Sequence, residues 1–239
     1  MKKLTFIFII FSFFLFDSLS NGGLLDMLKQ SSGVSNPKTT DESTIASGLK
    51  EALLIGTKNA VNSVSQVDGY FGNALIKILL PEKLQNVANV LGKLGYQKQV
   101  DDFILSMNRA AEKAAPQATS IFISAIKEMT WEDAQIILSG GDTSATDFFK
   151  RKTSNKIYTA FKPIISSSIN EVGVTRSYKA MIDKYTTLPF MKSESIDLDH
   201  YVTTKAMDGL FYMIGQEEKK IRTNPAARVT ELLEQVFGN

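Results

Sequence analysis

Apolar residues recur at steps of three and four along nearly the whole chain from residue 43 onward, and this spacing constrains the fold most. In the first such segment, Ile45, Leu49, Ala52 and Leu53 lie on one side of a helix. No series of residues alternates between apolar and polar as a half-buried strand would. The sequence therefore predicts an all-α fold, a single multi-helix bundle domain of roughly nine helices around a shared core.

Prolines and capping residues mark the expected ends of these helices. Pro81 suits a helix start, where a missing backbone N–H costs nothing, and the same reasoning predicts a last helix over 224–237. Thr130 is expected to cap the helix that follows it, and Pro163 to kink or restart the helix that contains it. The apolar run 74–80 fits a short strand or a short helix, because periodicity alone does not separate the two.

The N-terminus has the order of a secretory signal peptide. Lys2 and Lys3 precede an apolar stretch over 4–16, and Ser18 and Ser20 follow it as small residues two positions apart. The stretch is about 13 residues long, short of the ~20 that a membrane-spanning helix needs. We therefore expect cleavage near Ser20 and export to the periplasm, with an uncleaved N-terminal anchor as the alternative.

The predicted organisation has three parts. Residues 1–20 form the signal peptide, residues 21–42 a flexible leader rich in Ser, Gly, Asn and Thr, and residues 43–239 the single helical domain. After the signal no stretch is long and uncharged enough to cross a bilayer, so we expect no stable membrane span once the signal is removed.

Two residue counts and the net charge exclude several classes of protein. The chain has no Cys, which rules out thiol catalysis, thiolate zinc sites, iron–sulfur clusters and disulfides. A single His rules out metal sites that are built on paired His residues. The formal net charge of +2 lacks the basic excess of a nucleic-acid-binding domain. We therefore expect no metal, no cofactor and no nucleic-acid partner.

Polar residues within an otherwise apolar helix form the first candidate site. Asn108 and Glu112 are four positions apart and share a helix face, whereas Arg109 points about 100° away from Asn108. In a functional site, Arg109 would hold an anionic group and Glu112 would act as a base or a metal ligand. In a structural network, the three residues would join helices, since buried charges persist only when they are paired.

A second polar segment lies near the C-terminus. Glu218 and Arg222 form an i, i+4 pair in the favourable order, which on a surface is worth ~0.3–0.5 kcal/mol. Together with Asp208, they either join Arg109 and Glu112 in one interior cluster or belong to an ordinary solvated helix end. The candidate binding residues are therefore Asn108, Arg109, Glu112, Asp208, Glu218 and Arg222.

Seven short segments, in this order and spacing, resemble a known family. They are GLKEAL (48–53), LPE (80–82), MNRAAE (107–112), MTWEDAQIIL (129–138), ATDFF (145–149), KAMDGLF (205–211) and EKKIRTNP (218–225). Over about residues 43–238 the chain is similar to the bacterial domain-of-unknown-function family numbered four-one-nine-seven. The resemblance implies an exported bacterial protein with a mostly helical domain, and it implies no activity, substrate or catalytic residue.

Three functions stay open at this point. Because the chain has no complete catalytic constellation, the preferred hypothesis is a non-enzymatic periplasmic module that binds an envelope protein or an apolar small molecule. The second is a cofactor-independent enzyme that uses Glu112, Arg109, Asp208 and Glu218. The third is a structural envelope protein. The sequence leaves the ligand and the oligomeric state open.

Overall fold

Eight α-helices and one short 3-10 turn account for most of the residues that the structure, a computed structural model, describes: 42–170, 174–187 and 196–224. In chain order the α-helices are α1 (Glu42–Ser65), α2 (Glu82–Lys93), α3 (Gln97–Ala114), α4 (Ala118–Lys127), α5 (Trp131–Ser139), α6 (Ser144–Asn170), α7 (Val174–Thr186) and α8 (Leu198–Thr223). The 3-10 turn Ala115–Gln117 joins α3 to α4. The described ranges contain no strand, which confirms the all-α prediction.

The predicted count of roughly nine helices is not matched exactly over these ranges. The predicted last helix over 224–237 falls almost wholly outside the described residues, as do the predicted signal peptide and nearly all of the predicted leader. These expectations, and the division into three parts, therefore stay predictions. Within the described part of the chain, none of the helices combines the length and the apolar character that a bilayer crossing requires.

The helix ends follow the local signals in the sequence. The Thr130 hydroxyl accepts a hydrogen bond from the Asp133 N–H at 3.2 Å, and the Asp133 carboxylate accepts one from the Thr130 N–H at 3.3 Å. This capping box satisfies two backbone donors at the start of α5, as predicted. Pro81 directly precedes α2, and Gly95 follows that helix with φ +86°, a left-handed conformation that favours glycine.

Pro163 lies inside α6 and does not restart it. The helix continues from Ser144 to Asn170, so of the two predicted alternatives the restart is wrong and the kink stays a prediction. A proline in a helix interior removes one backbone hydrogen bond and crowds the preceding turn, at a cost of about 3 kcal/mol. Phe161 and Ile165, on either side of Pro163, are fully buried, and their packing offsets this cost.

The core lies where α8 packs against α6 and α1 and where α3 packs against α6 and α7. Aromatic side chains fill its centre: the Phe122 ring stands edge-on to Phe149, with centroids 5.1 Å apart, and to Phe211 at 6.3 Å. Helix α1 comes close to α8 at Gly56, where an added Cβ would lie 3.5 Å from Cδ1 of Ile221. The first and last described helices are thus direct neighbours.

Between α1 and α2 the chain forms neither a helix nor a strand. It turns through residues 66–76 and then runs irregularly to Pro81, so neither alternative for the apolar run 74–80 is correct. We call residues 75–80 the 75–80 segment. Burial alternates along it, because Ile76, Ile78 and Leu80 are buried, whereas Leu75 and Leu79 are exposed. Leu75 and Ile76 still belong to the turns, and over residues 77–80 the in-and-out pattern is typical of an extended chain lying on a core.

Candidate functional site

The polar residues of α3 hold the chain that connects α1 to α2. The side-chain amide of Asn108 accepts a hydrogen bond from the N–H of Ile78 and donates one to the C=O of Ile78, both at 2.8 Å. Both backbone groups of Ile78 therefore point to one side, as they do in an extended strand. Asn108 is fully buried, and its remaining donor bonds the Ile104 C=O at 2.8 Å.

Glu112, one turn further along α3, holds the start of the same connection. Its carboxylate accepts hydrogen bonds from the backbone N–H groups of Tyr70 at 3.0 Å and Phe71 at 3.2 Å. Its second oxygen accepts one from Arg109 at 2.6 Å. Only 4% of Glu112 is exposed, so three donors compensate the burial of its charge.

Arg109 ties Glu112 to the turn that follows α1. Its guanidinium also donates to the Asp68 carboxylate at 2.8 Å. Asp68 has φ +66°, a left-handed conformation that costs a non-glycine residue of order 1 kcal/mol. The hydrogen bond to Glu112 raises the pKa of Arg109 above its ordinary value, so the guanidinium stays charged and holds both carboxylates.

Tyr70 links this network to α8. It is fully buried, and its hydroxyl donates to the C=O of Ala206 at 2.7 Å. Burial, and after it the charge of Glu112, raise the pKa of Tyr70 well above its ordinary value of 10.0. The tyrosine ring lies against Gly209, where an added Cβ would be 2.7 Å from Cε1 of Tyr70.

Glu218 and Arg222 form a second network, on a different part of α8. The Glu218 carboxylate accepts hydrogen bonds from the N–H groups of Ala145 and Thr146, both at 2.9 Å, and from the Thr146 hydroxyl at 2.8 Å. Arg222 donates to Glu218 at 2.9 Å and to the Ile137 C=O at 2.7 Å. The negative charge therefore sits at the positive end of the α6 dipole, and Arg222 extends the network to α5.

The six candidate residues do not form the single interior cluster that was one of the two alternatives, and Glu218, only 7% exposed, does not belong to an ordinary solvated helix end either. Tyr70, which bonds Glu112, packs on Gly209, and Glu218 lies nine positions further along α8, about 13 Å at 1.5 Å per residue. Asp208 belongs to neither network, because its side chain is 66% exposed and its described ion pair is a long one, 4.0 Å to Lys205. The structure thus divides the residues into two networks and one surface position.

Both buried carboxylates are occupied by donors from their own chain. Glu112 bonds two backbone N–H groups, and Glu218 bonds two more, with 7% of Glu218 exposed. The geometry of each is that of a clamp between segments rather than of an acid or a base that faces a cleft. Among the described residues, no group of three or more His, Asp or Glu side chains is arranged to hold a metal ion.

A groove of about 590 Å³ lies between the 75–80 segment and α8. The sequence reasoning missed it. Its walls carry two exposed leucines of the segment and both apolar and charged residues of α8: Leu75, Leu79, Tyr201, Lys205, Asp208 and Tyr212. Leu75 is 72% exposed, Leu79 is 59% exposed, and Tyr212 is also exposed. Apolar side chains therefore stand in solvent on both sides of one groove.

Two contacts fix how the segment and α8 run relative to each other. The Tyr201 hydroxyl donates to the C=O of Leu79 at 2.9 Å, and an added Cβ on Gly209 would lie 3.1 Å from Cβ of Ile76. The segment therefore runs opposite to α8. Burial, and after it the charge of Glu82, raise the pKa of Tyr201, which keeps its hydroxyl protonated as a donor.

A smaller groove of about 350 Å³ continues past the C-terminal end of the segment. It shares Tyr201 and Lys205 with the first groove and adds Lys83, Asp197 and His200. The His200 Nδ1 is 2.9 Å from the Tyr158 hydroxyl. The two grooves adjoin at Tyr201 and Lys205, which line both.

The match with a known family covers almost all of this structure. Residues 39–238 match the family described as "Protein of unknown function (DUF4197)". Neither a curated protein nor a solved structure gives a significant match. The matched range holds both polar networks and both grooves, and it agrees with the resemblance seen in the seven sequence segments. The chain belongs to the DUF4197 family.

Proposed function

We propose that this protein is a non-enzymatic, periplasmic binding module that takes an extended, apolar peptide segment of an envelope protein in the groove between the 75–80 segment and α8. The observation that carries the proposal is the exposure of Leu75 and Leu79 on one wall of that groove. Apolar side chains that stand together in a groove are typical of a binding surface.

The shape and chemistry of the groove favour a peptide over a small apolar molecule. Its walls mix leucine and tyrosine side chains with Lys205, Asp208 and Glu82. A compact apolar ligand would remove these charged side chains from water without offering them hydrogen bonds, whereas a peptide offers both apolar side chains and hydrogen-bonding backbone groups. A second groove adjoins the first at Tyr201 and Lys205, which adds length to the surface that an extended chain could contact.

The hydrogen bonds of Asn108 and Glu112 to the backbone support a binding role over an enzymatic one. Asn108 and Glu112 fix the 75–80 segment and its preceding turn to α3, so one wall of the groove is held in place before a ligand arrives. A preorganised wall reduces the entropy that binding costs. The same bonds occupy the carboxylate that an enzymatic mechanism would need.

The test uses two libraries of random ten-residue peptides displayed on a carrier, one with a free carboxyl end and one with the carrier continuing after it. Peptides selected by the purified protein are synthesised, and their affinity is measured by fluorescence anisotropy. We expect micromolar binding that falls at least about tenfold in Leu79→Glu, which places a charge on the apolar wall.

The matched control is Ile136→Glu, because Ile136 is 58% exposed, close to the 59% of Leu79, and lies on α5 away from the groove. This variant should bind like the wild type. Failure of both libraries to give a binder that is sensitive to Leu79→Glu overturns the proposal.

Export is part of the same proposal, and the charged and apolar order of the first twenty residues supports it. Expression of the full chain in a bacterial host, followed by fractionation and intact mass measurement, tests it. We expect a periplasmic protein that begins at Asn21. A full-length product in the cytoplasm overturns this part alone.

A further inference from the structure

We infer that the bound peptide pairs with the 75–80 segment through one residue, which exchanges both of its backbone hydrogen bonds with Leu79 and so runs antiparallel to the segment. The inference rests on the proposed function. It adds the backbone groups that bind the peptide, the direction of the peptide and the kind of side chain that it needs at the paired position.

The first step concerns the direction in which the backbone groups of Leu79 point. In an extended chain, the N–H and C=O of one residue point to one side, and those of the next residue point to the other. Asn108 binds both groups of Ile78 on the α3 side. The groups of Leu79 therefore point away from α3, and the Tyr201 hydroxyl of α8 meets the Leu79 C=O there at 2.9 Å. Both groups of Leu79 thus lie on the side of the segment that faces the groove.

Both backbone groups of Leu79 have room for a further partner. Within the contacts of the described residues, its N–H has no hydrogen-bond partner. Its C=O accepts one hydrogen bond, from Tyr201, and a carbonyl oxygen has two lone pairs. Leu79 is 59% exposed and lines the groove, so a ligand can reach it. One residue therefore offers a donor and an acceptor side by side.

The neighbouring positions decide the direction of the peptide. Two antiparallel residues exchange both hydrogen bonds, whereas a parallel residue bonds the C=O of one residue and the N–H two positions later. A parallel pairing across Leu79 and Pro81 lacks a donor, because proline has no N–H. A parallel pairing across Lys77 and Leu79 needs Lys77 in the strand, but the Lys77 N–H closes the preceding turn on the Asn73 C=O at 2.9 Å. The antiparallel pair needs Leu79 alone.

The paired stretch is one residue long. The next antiparallel pairs would form two positions to either side of Leu79, at Lys77 and Pro81. The Lys77 N–H is already bonded and Pro81 has none, so neither residue can exchange both hydrogen bonds with a peptide. Affinity beyond the single pair therefore depends on the peptide side chains that contact the groove.

The pairing also fixes the position of one peptide side chain. Directly opposed residues of an antiparallel pair project their side chains to the same face, with Cβ atoms about 4.5–5.5 Å apart. The side chain of the paired peptide residue therefore lies beside that of Leu79, which stands in solvent when no ligand is bound. An apolar side chain there removes apolar surface of both partners from water. We therefore expect the selected peptides to carry an apolar residue at the paired position.

The experiment starts from the peptide that the display selection yields. Each peptide N–H in turn is replaced by an ester oxygen, and we expect one position, the donor to the Leu79 C=O, to lose about tenfold in affinity. Truncation of that same residue to alanine should also cost about tenfold, and Leu79→Ala should remove most of this second loss, because it deletes the opposed side chain. In the matched control Leu75→Ala, on the same wall of the groove, the loss on truncation should persist.

A second comparison tests the Leu79 N–H. The variants Leu79→Ala and Leu79→Pro both lack the leucine side chain, but only Leu79→Pro also lacks the N–H. We expect Leu79→Pro to bind the peptide about tenfold more weakly than Leu79→Ala does. The urea midpoints of both variants show whether they are folded, and the ester scan, which leaves the protein unchanged, decides if Leu79→Pro is not.

Three results would overturn the inference and leave the proposed function standing. They are binding that is insensitive to every ester, equal binding by folded Leu79→Pro and Leu79→Ala, and coupling of Leu79→Ala to a peptide residue other than the ester-sensitive one. The last result would indicate a parallel peptide. Absence of any peptide whose binding falls in Leu79→Glu refutes the proposed function itself.

Discussion

Asn108 gives Ile78, thirty positions earlier in the chain, the pair of hydrogen bonds that a neighbouring strand would give it. One side-chain amide, positioned by a helix, thereby holds an extended segment in a protein whose described residues contain no sheet. The opposite edge of the segment is left facing α8, and the groove lies there.

Replacement of Asn108 should destabilise the fold strongly. Asn108→Leu keeps the volume but leaves the buried N–H and C=O of Ile78 without partners, at about 1–3 kcal/mol for each group. We expect a loss of about 3 kcal/mol in the free energy of unfolding, measured with urea. Ser106→Ala is the control, because the hydrogen bond that its hydroxyl makes among the described residues lies within α3, and it should cost less than about 1 kcal/mol. If Asn108→Leu also cost less than about 1 kcal/mol, its bonds to Ile78 would not stabilise the fold as predicted.

Glu112 and Arg109 should differ in their contributions although they form one ion pair. Glu112→Ala leaves two buried backbone N–H groups without an acceptor and removes one of the two carboxylates that Arg109 holds, so we expect a loss of about 3 kcal/mol. The side chain of Arg109 is 37% exposed, and solvent weakens its two ion pairs, so Arg109→Ala should cost about 1 kcal/mol. Thermal unfolding compares the two variants. Equal losses, or the reverse order, would show that the pair rather than the backbone contacts dominates.

Gly209 and Gly215, both on α8, should respond to alanine in opposite directions. A Cβ on Gly209 would lie 2.7 Å from Cε1 of Tyr70, so Gly209→Ala should cost about 1–3 kcal/mol through displaced packing. The nearest atom to a Cβ on Gly215 is 3.5 Å away, and there the higher helix propensity of alanine should stabilise by up to about 1 kcal/mol. Urea unfolding of both variants gives the comparison. A tolerated Gly209→Ala would mean that Tyr70 and Ile76 are not packed tightly on α8.

Tyr70 should make the fold sensitive to alkali. Its pKa in the folded protein is raised, so the hydroxyl stays protonated there, whereas in the unfolded chain it ionises near pH 10.0. The unfolded state then binds fewer protons, and the contribution to stability, complete below about pH 10, falls by about 1.4 kcal/mol per pH unit above it. Tyr70→Phe lacks this loss. The stability difference between wild type and variant should therefore shrink between about pH 9 and pH 11 in urea titrations; a constant difference would contradict the prediction.

Local signals in the sequence located most of the helices, because apolar spacing and caps depend only on neighbouring residues. The Thr130 cap and the end of α2 at Gly95 are examples. The run 74–80 behaves differently, since its backbone conformation depends on Asn108, and no periodicity within seven residues contains that information. Pro163 also shows that local signals are not sufficient. Proline disfavours a helix interior, but the packing of its buried neighbours keeps the helix continuous.

The candidate site was partly predictable for the same reason. Asn108, Arg109 and Glu112 share one helix, so their proximity followed from spacing. The hydrogen bond of Glu218 to the N–H of Ala145 was not predictable. The two residues are 73 positions apart, and every residue except proline has a backbone N–H, so the residue type does not identify this donor. The sequence did not indicate the groove, because leucine is typical of a buried core. Only the fold shows that Leu75 and Leu79 are exposed to solvent.

The packing of α1 on α8 also determines when folding can be completed during synthesis. Asn59 of α1 donates to Glu217 of α8 across 158 positions of sequence, at 3.2 Å. At synthesis rates of about 5–20 residues per second, α1 waits roughly ten to thirty seconds before its partner exists. During that interval α1 can pack on α3, α4 and α5, but the part of its surface that faces α8 has no native partner. A chain that crosses a membrane from its N-terminus would therefore arrive on the far side with its closing contact still to be made.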